Sequence, residues 1–187
     1  SSQRYFVKED QNTSTPSGDA SEDLFYDWNY RLSYKGILTD NLELKAGYEL
    51  TAQNGAGDKL EVEQNLMENA LWMDLSWEIL PGLQVQPGLR YMFHNTYDPP
   101  LIYAGHLKYA NSGWTARVSY AKGFRAPSLK ELYMDFVDSN HLIFGNPDLK
   151  PETSNSWSGS LTKNWVFESK KGIRFQLNGF YNHLFDV

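Results

Sequence analysis

The stretch LWMDLSWEILPGLQVQPGLRYMFH, residues 71–94, alternates apolar and polar side chains on either side of Pro81-Gly82. Odd positions 71–79 are all apolar, whereas the even ones include Asp74, Ser76 and Glu78. Odd positions 83–93 repeat the apolar series. Because successive side chains of a strand point to opposite faces, this period of two predicts an antiparallel hairpin with one apolar and one polar face. Pro-Gly supplies the turn.

The same alternation recurs along the chain and predicts about eight strands. The other six cover residues 26–35, 42–50, 101–109, 114–121, 157–161 and 173–182. A ninth strand is expected if residues 5–8 also pair, and weak helical periodicity is confined to residues 128–137. The predicted fold is therefore all-β, an antiparallel up-and-down meander. We expect Trp77, Leu89, Val118 and Leu177 on its outer face, and Asp74, Arg90, Arg117 and Arg174 on its inner face.

The connections between the predicted strands alternate in length. Short turns are predicted at residues 39–41, 80–82, 111–113 and 170–172, and polar loops at 10–23, 52–68, 95–100 and 122–155. Outer-membrane barrels have short periplasmic turns and longer extracellular loops. A soluble antiparallel sandwich or barrel is the alternative. Charges of both signs on the polar face and aromatic rings toward the strand ends favour the membrane barrel.

Composition excludes several classes of function. The net charge of −6 argues against a nucleic-acid partner, which needs a basic surface. The absence of cysteine excludes disulfides, thiolate metal sites and a cysteine nucleophile. Aromatic residues make up 15% of the chain, as suits a boundary between apolar and wet surroundings. No serine, histidine and aspartate set is grouped, so an enzyme is not expected.

Two motifs lie in the longest predicted loop. The first is GFRAPSLKELY, residues 123–133, and the second is GNPDLKPETS, residues 145–154. Pro127 should end the preceding strand, and Ser128 with Glu131 fits a helix capping box. Asn146-Pro147-Asp148 has the residue types of a turn. These residues therefore predict a shaped loop that leads back into the barrel wall.

Together the motifs resemble the paired FRAP and NPDL boxes of TonB-dependent outer-membrane receptors. The matching residues are Phe124, Arg125, Ala126, Pro127, Asn146, Pro147, Asp148 and Leu149. The resemblance implies a 22-stranded barrel in the outer membrane, filled by a plug domain, that takes up a scarce nutrient with energy from TonB. We expect residues 1–187 to form part of that barrel, with the plug, the remaining strands and the TonB contact outside this chain.

The resemblance also suggests a ligand. His141 lies between the boxes, as does a candidate haem ligand in haem-uptake members, and an imidazole can bind haem iron axially. Phe144 could cover the porphyrin, and His94 is a second candidate ligand. Haem would then be transported, with no intrinsic cofactor and no metal site beyond the haem iron. A ferric siderophore, cobalamin or an oligosaccharide stays open as the ligand, as does a non-transporting adhesin or pore.

Overall fold

The computed structural model describes residues 2–7, 22–57, 60–134, 136–137, 142–167 and 171–185. Nine strands form one antiparallel sheet in the order β1-β2-β3-β4-β5-β6-β7-β10-β11. Their bounds are Ser2–Val7 (β1), Glu22–Thr39 (β2), Leu42–Gly57 (β3), Leu60–Leu80 (β4), Leu83–His94 (β5), Ile102–Asn111 (β6), Trp114–Arg125 (β7), Glu152–Val166 (β10) and Gly172–Phe185 (β11). A helix α1, Leu129–Tyr133, and a small hairpin of β8, Phe136–Val137, and β9, Leu142–Ile143, interrupt the series. The predicted meander is confirmed, including its ninth strand.

The register sorts the side chains onto the two predicted faces. Leu32, Tyr48, Leu71 and Tyr91 are cross-strand partners in turn along β2 to β5 and form one row. All four lie on the apolar outer face, where Leu71 is 55% exposed and Tyr91 50% exposed. Such exposure suits a surface that lipid covers.

The eight residues assigned to faces from the sequence lie as predicted. The register places Trp77 and Val85 on one row, Val118 and Gly159 on another, and Leu161 and Leu177 on a third, all on the outer face. Leu89 pairs with Met73 on that face. The four charged residues Asp74, Arg90, Arg117 and Arg174 lie on the inner face, where their partners are Gly88, Trp72, Ser160 and Asn164.

The tight turns gather at one end of the sheet. Backbone hydrogen bonds link them laterally: Glu78 N to Asn41 O, Ala110 N to Gly82 O, and Asn164 N to Gly113 O, each 2.8 Å. Ser112 and Gly113 have φ of 47° and 81°, which matches the primed turns that fit the twist of a hairpin. The turn predicted at residues 170–172 falls partly outside the described residues. The other three turns lie together, as the alternating connections predicted.

Two loop predictions were wrong in extent. The loop predicted at 52–68 is mostly strand, because β3 reaches Gly57 and β4 begins at Leu60, its register partner. This hairpin extends beyond its shorter neighbour β5, whose pairing with β4 ends at Glu68 and His94. Where both faces of a strand meet water, alternation is lost while the backbone ladder continues. The loop predicted at 122–155 is shorter, since β7 continues to Arg125 and β10 starts at Glu152.

The loop predicted at 95–100 contains no strand, as expected. Most of the loop predicted at 10–23 lies outside the described residues. Within the described part of the chain, no helix has the length and apolarity needed to cross a membrane.

Candidate functional site

The segment between β7 and β10, residues 126–151, carries most of both motifs and is called the box loop below. It begins where Arg125 ends β7, just before the buried Pro127. Ser128 caps α1: its Oγ accepts from Glu131 N at 3.4 Å, and the Glu131 carboxylate accepts from Ser128 N at 2.8 Å. The predicted capping box is therefore present, and it fixes the direction in which the loop leaves the strand.

Helix α1 packs against the inner face of the wall. Leu129 and Leu132 are each 2% exposed and form a cluster with Phe25 of β2 and Leu66 of β4. Phe25 and Leu66 belong to the inner face, because Leu66 pairs with Gln53 and Phe25 with Gly55 on the charged side of β3. The Lys130 ammonium lies 5.4 Å from the centre of the Phe25 ring. The box loop thus folds inward across the projecting β3–β4 hairpin.

Arg125 joins three elements at the base of the box loop. Its Nε and Nη2 donate to the Glu152 carboxylate at 3.1 and 3.0 Å, and its Nη1 donates to both Glu131 oxygens at 2.9 Å. Paired donors in this planar arrangement fix orientation as well as distance. The end of β7, the first turn of α1 and the start of β10 are therefore held together. We call these three side chains the arginine clamp.

The electrostatics of the clamp favour its ionised form. The pKa of the Glu131 carboxyl is lowered, chiefly because the Ser128 backbone N–H donates to it, and the Arg125 guanidinium adds to the effect. Partial burial acts in the opposite direction. Glu131 therefore stays ionised at neutral pH, as both the cap and the clamp require.

The second motif is fastened to the first. Asp148 N donates to Asn146 Oδ1 at 3.0 Å, which makes the predicted turn, and Asn146 N donates to Glu131 O at 2.9 Å. A Cβ on Gly145 would lie 2.8 Å from the backbone of residues 132–134, so the two segments touch through their main chains. Tyr97, from the β5–β6 connection, donates to Leu149 O at 3.3 Å.

The candidate ligand residues are placed as follows. His141 lies outside the described residues, and Phe144 is 61% exposed beside the second motif. His94 ends β5, and its Nδ1 accepts backbone N–H groups of Thr96 and Tyr97 at 3.1 and 3.3 Å. In the neutral ring this arrangement places the proton on Nε2. Iron binding by His94 would therefore require these two hydrogen bonds to break.

The motif residues lie mainly in the wall and its turns. Phe124 is half-buried and pairs with Thr153, Ala126 is half-buried, and Pro147, Asp148 and Leu149 are exposed. Sequence reasoning missed Glu152, Phe25, Leu66 and Tyr97. Phe25 and Leu66 carried a usable signal, because they are apolar residues at polar positions of the alternation.

Below the box loop, the inner wall carries a network of ion pairs. Glu49 accepts from Arg31 Nε at 2.7 Å and also from Arg90, which reaches Glu68 at 3.1 Å. A hollow of about 330 Å³ lies beside this network. A larger groove, of about 780 Å³, is on the outer face beside Leu71 and Tyr91, where lipid and not an aqueous ligand would be expected. Among the described residues, no group of three or more His, Asp and Glu side chains converges as a metal site.

These features define a segment of an outer-membrane β-barrel wall: an apolar outer face, a charged inner face, tight turns at one end and an infolded loop at the other. The family model described as TonB dependent receptor-like, beta-barrel matches residues 1–187, and the chain belongs to this family. The family consists of receptors and transporters, and its location is the bacterial outer membrane.

Curated relatives are similar over part of the chain. The iron-regulated outer membrane virulence protein of Vibrio cholerae serotype O1 (El Tor Inaba N16961) is 39% identical over 75 residues, 39% of this chain and 11% of that protein. The probable hemoglobin and hemoglobin-haptoglobin-binding protein 4 of Haemophilus influenzae is 40% identical over 55 residues, 28% of this chain and 6% of that protein. The chain therefore spans a small part of these relatives.

Solved structures share the fold. The siderophore receptor PirA of Pseudomonas aeruginosa superposes with a TM-score of 0.70 at 20% identity, over 88% of this chain and 32% of that one. The copper transporter OprC gives 0.65 at 15% identity, over 90% of this chain and 31% of that one. The Serratia marcescens hemophore receptor HasR gives 0.60 at 14% identity, over 88% and 33%.

Proposed function

We propose that this chain is part of the barrel of a receptor, and not of an enzyme, that takes up an iron complex through the outer membrane. Haem is the ligand we favour. TonB supplies the energy through a plug domain encoded outside residues 1–187. The observation that carries the proposal is the inward fold of the box loop, which is fastened at the end of the wall opposite the tight turns.

The chemistry of the box loop suits a flat apolar ligand with a central metal. Phe144 is exposed and can lie against a porphyrin face, and the imidazole of His141 is an axial ligand of the kind that haem iron accepts. The arginine clamp holds the two motifs on either side of this segment in fixed relation. The names of the relatives, iron-regulated and hemoglobin-binding, support an iron complex as the ligand.

A ferric siderophore is the second candidate, favoured by the structural likeness to a siderophore receptor. Cobalamin, an oligosaccharide and a non-transporting barrel also remain as alternatives. Growth on different iron sources separates them. The gene for the full-length receptor is deleted, then restored as wild type, as His141→Ala or as His183→Ala. His183 is the matched control, because it lies on the outer face of β11, stacked on Phe185.

With haem as sole iron source, the wild-type receptor and His183→Ala should restore growth, whereas His141→Ala should not. Haem titration of the purified receptors, followed by the Soret band, should show weaker binding only for His141→Ala. Equal affinity of all three receptors would remove His141 from the site. Restored growth on a ferric siderophore but never on haem would mean that the ligand is a ferric siderophore and not haem.

A further inference from the structure

The outer face of the wall carries two charged side chains among the described residues of β5, β6, β7, β10 and β11. They are Lys122 and Lys163, which lie toward opposite ends of the apolar band. The Lys122 ammonium lies 5.9 Å from the centre of the Tyr103 ring. A lysine on a lipid-facing surface extends its ammonium toward the membrane boundary, where phosphate groups lie. The surroundings of Lys163 are the more specific of the two.

Lys163 lies at the level of the tight turns. Its Nζ donates to Ser112 O in the β6–β7 turn at 2.8 Å, so the ammonium reaches beyond the last pairs of the sheet. The rings of its cross-strand partner Trp114 and of Trp165, two residues further along β10, have centres 4.9 and 5.9 Å from Nζ. Tryptophan favours this boundary for its apolar body and polar edge. One donor of the ammonium is used by Ser112, and no carboxylate of the described residues lies within ion-pair distance.

An apolar groove of about 600 Å³ runs along the outer face of β7, β10 and β11, and its lining reaches Leu161, two residues from Lys163. Gly159 and Gly179, direct cross-strand partners, form its floor. Trp157 and Tyr181 flank it at one end, and Leu161 and Leu177 at the other. At about 3.4 Å per residue, the four steps along the strand from Gly159 to Lys163 span roughly 14 Å, within the length of a lipid acyl chain.

We propose that Lys163 and this groove bind one anionic phospholipid of the periplasmic leaflet. Its phosphate lies against the Lys163 ammonium beside Trp114 and Trp165, and one acyl chain fills the groove over Gly159 and Gly179. Charge complementarity and the position of Lys163, next after the groove residue Leu161 on the outer face of β10, select this occupant. The inference rests on the location of the family in the outer membrane and is independent of the transported ligand.

The test uses the full-length receptor in detergent, with phosphatidylglycerol added and bound lipid counted by native mass spectrometry. Lys163→Met keeps an apolar stem and removes the charge, and Lys122→Met is its matched control. One lysine near an anionic lipid surface contributes roughly a five-fold change in affinity, so binding to Lys163→Met should fall about that much. Binding to Lys122→Met at the groove should be unchanged.

A second pair of variants tests the groove itself. Gly179→Leu should fill it, since no atom lies within 4 Å of a Cβ at that position, and the variant should fold normally. Gly105→Leu is equally unobstructed and lies on the outer face of β6, away from the groove. Lipid occupancy should fall for Gly179→Leu and not for Gly105→Leu. Wild-type occupancy in both Lys163→Met and Gly179→Leu, or equal losses in the two controls, would overturn the proposal.

Discussion

Arg125 and Glu152 are direct cross-strand partners where β7 and β10 leave the sheet, and the guanidinium meets the carboxylate through two hydrogen bonds of 3.1 and 3.0 Å. The same guanidinium also holds Glu131, at the start of α1. The arginine of the first motif thus has an architectural role. It ties the loop to both of the strands it connects, so that the box loop starts from a fixed base.

The clamp should depend on the planar arrangement of the guanidinium N–H donors as well as on the positive charge. In Arg125→Lys a single ammonium replaces five donors, so the contacts to Glu131 and Glu152 are no longer made together. Hydrogen exchange of the full-length receptor should show faster exchange in residues 128–134, with little change in the strands. Arg174→Lys is the control, because Arg174 bonds Gln176 and lies far from the loop. Unchanged exchange in Arg125→Lys would exclude the clamp.

Acid should loosen the box loop through Glu131. Its pKa is lowered on folding, chiefly by the Ser128 backbone N–H and then by Arg125, so its contribution to stability is present above the ordinary carboxyl pKa of about 4.3. That contribution is lost as the pH falls below this value and through the folded pKa. At acid pH the protection factors of residues 128–134, which compare observed exchange with the intrinsic rate at the same pH, should therefore fall.

The variant Glu131→Gln identifies the titrating group. Its loop should already be less protected from exchange at neutral pH, and the acid-induced loss of protection should be smaller than in wild type. If Glu131→Gln kept the full wild-type pH dependence, another group would be responsible.

The anchoring of α1 on the inner wall should depend on Leu132. Truncation of a buried leucine to alanine costs about 2–5 kcal/mol, and here the loss falls on a five-residue helix whose other buried side chain is Leu129. Leu132→Ala should release the box loop to limited proteolysis while the barrel keeps its thermal transition. Leu149→Ala, at a residue 37% exposed, is the control and should remain resistant.

The contact between the motifs should fail when Gly145 gains a methyl group. An alanine Cβ there would lie 2.8 Å from Leu132 O and from Met134 N, which are backbone atoms that a rotamer change does not move aside. Overpacking of this kind costs about 1–3 kcal/mol. Gly145→Ala should therefore raise exchange across the box loop. Gly105→Ala, with nothing within 4 Å of its Cβ, should behave as wild type.

The strands were predictable where one face meets lipid and the other water. Alternation is then enforced at every position, as in residues 71–94, and the register follows from short turns. The β3–β4 hairpin beyond Ala52 loses that signal, because Gln53, Asn54, Gln64 and Asn65 are polar on both faces. Backbone hydrogen bonds hold its two strands together, and the pattern of side chains in the sequence does not predict these bonds.

The base of the candidate site was predictable only within one segment. Ser128, Glu131 and Asn146 act over a few residues, so capping and turn chemistry could be recognised from the sequence. Glu152, the second partner of Arg125, is distant in the chain. Phe25 and Leu66, which pack near Leu132, are distant as well and appear only as apolar exceptions on the polar face. Those contacts depend on how the loop folds over the wall, which local pattern does not record.

The two ends of the sheet should face opposite sides of the membrane. The connection after β5 holds Thr96, whereas Ser112 occupies a tight turn. Because the chain contains no cysteine, Thr96→Cys and Ser112→Cys each introduce a unique thiol in this segment. A membrane-impermeant maleimide applied to intact cells should label Thr96→Cys. It should label Ser112→Cys only after the outer membrane is permeabilised. Labelling of Ser112→Cys but not Thr96→Cys on intact cells would reverse the orientation and place the box loop in the periplasm.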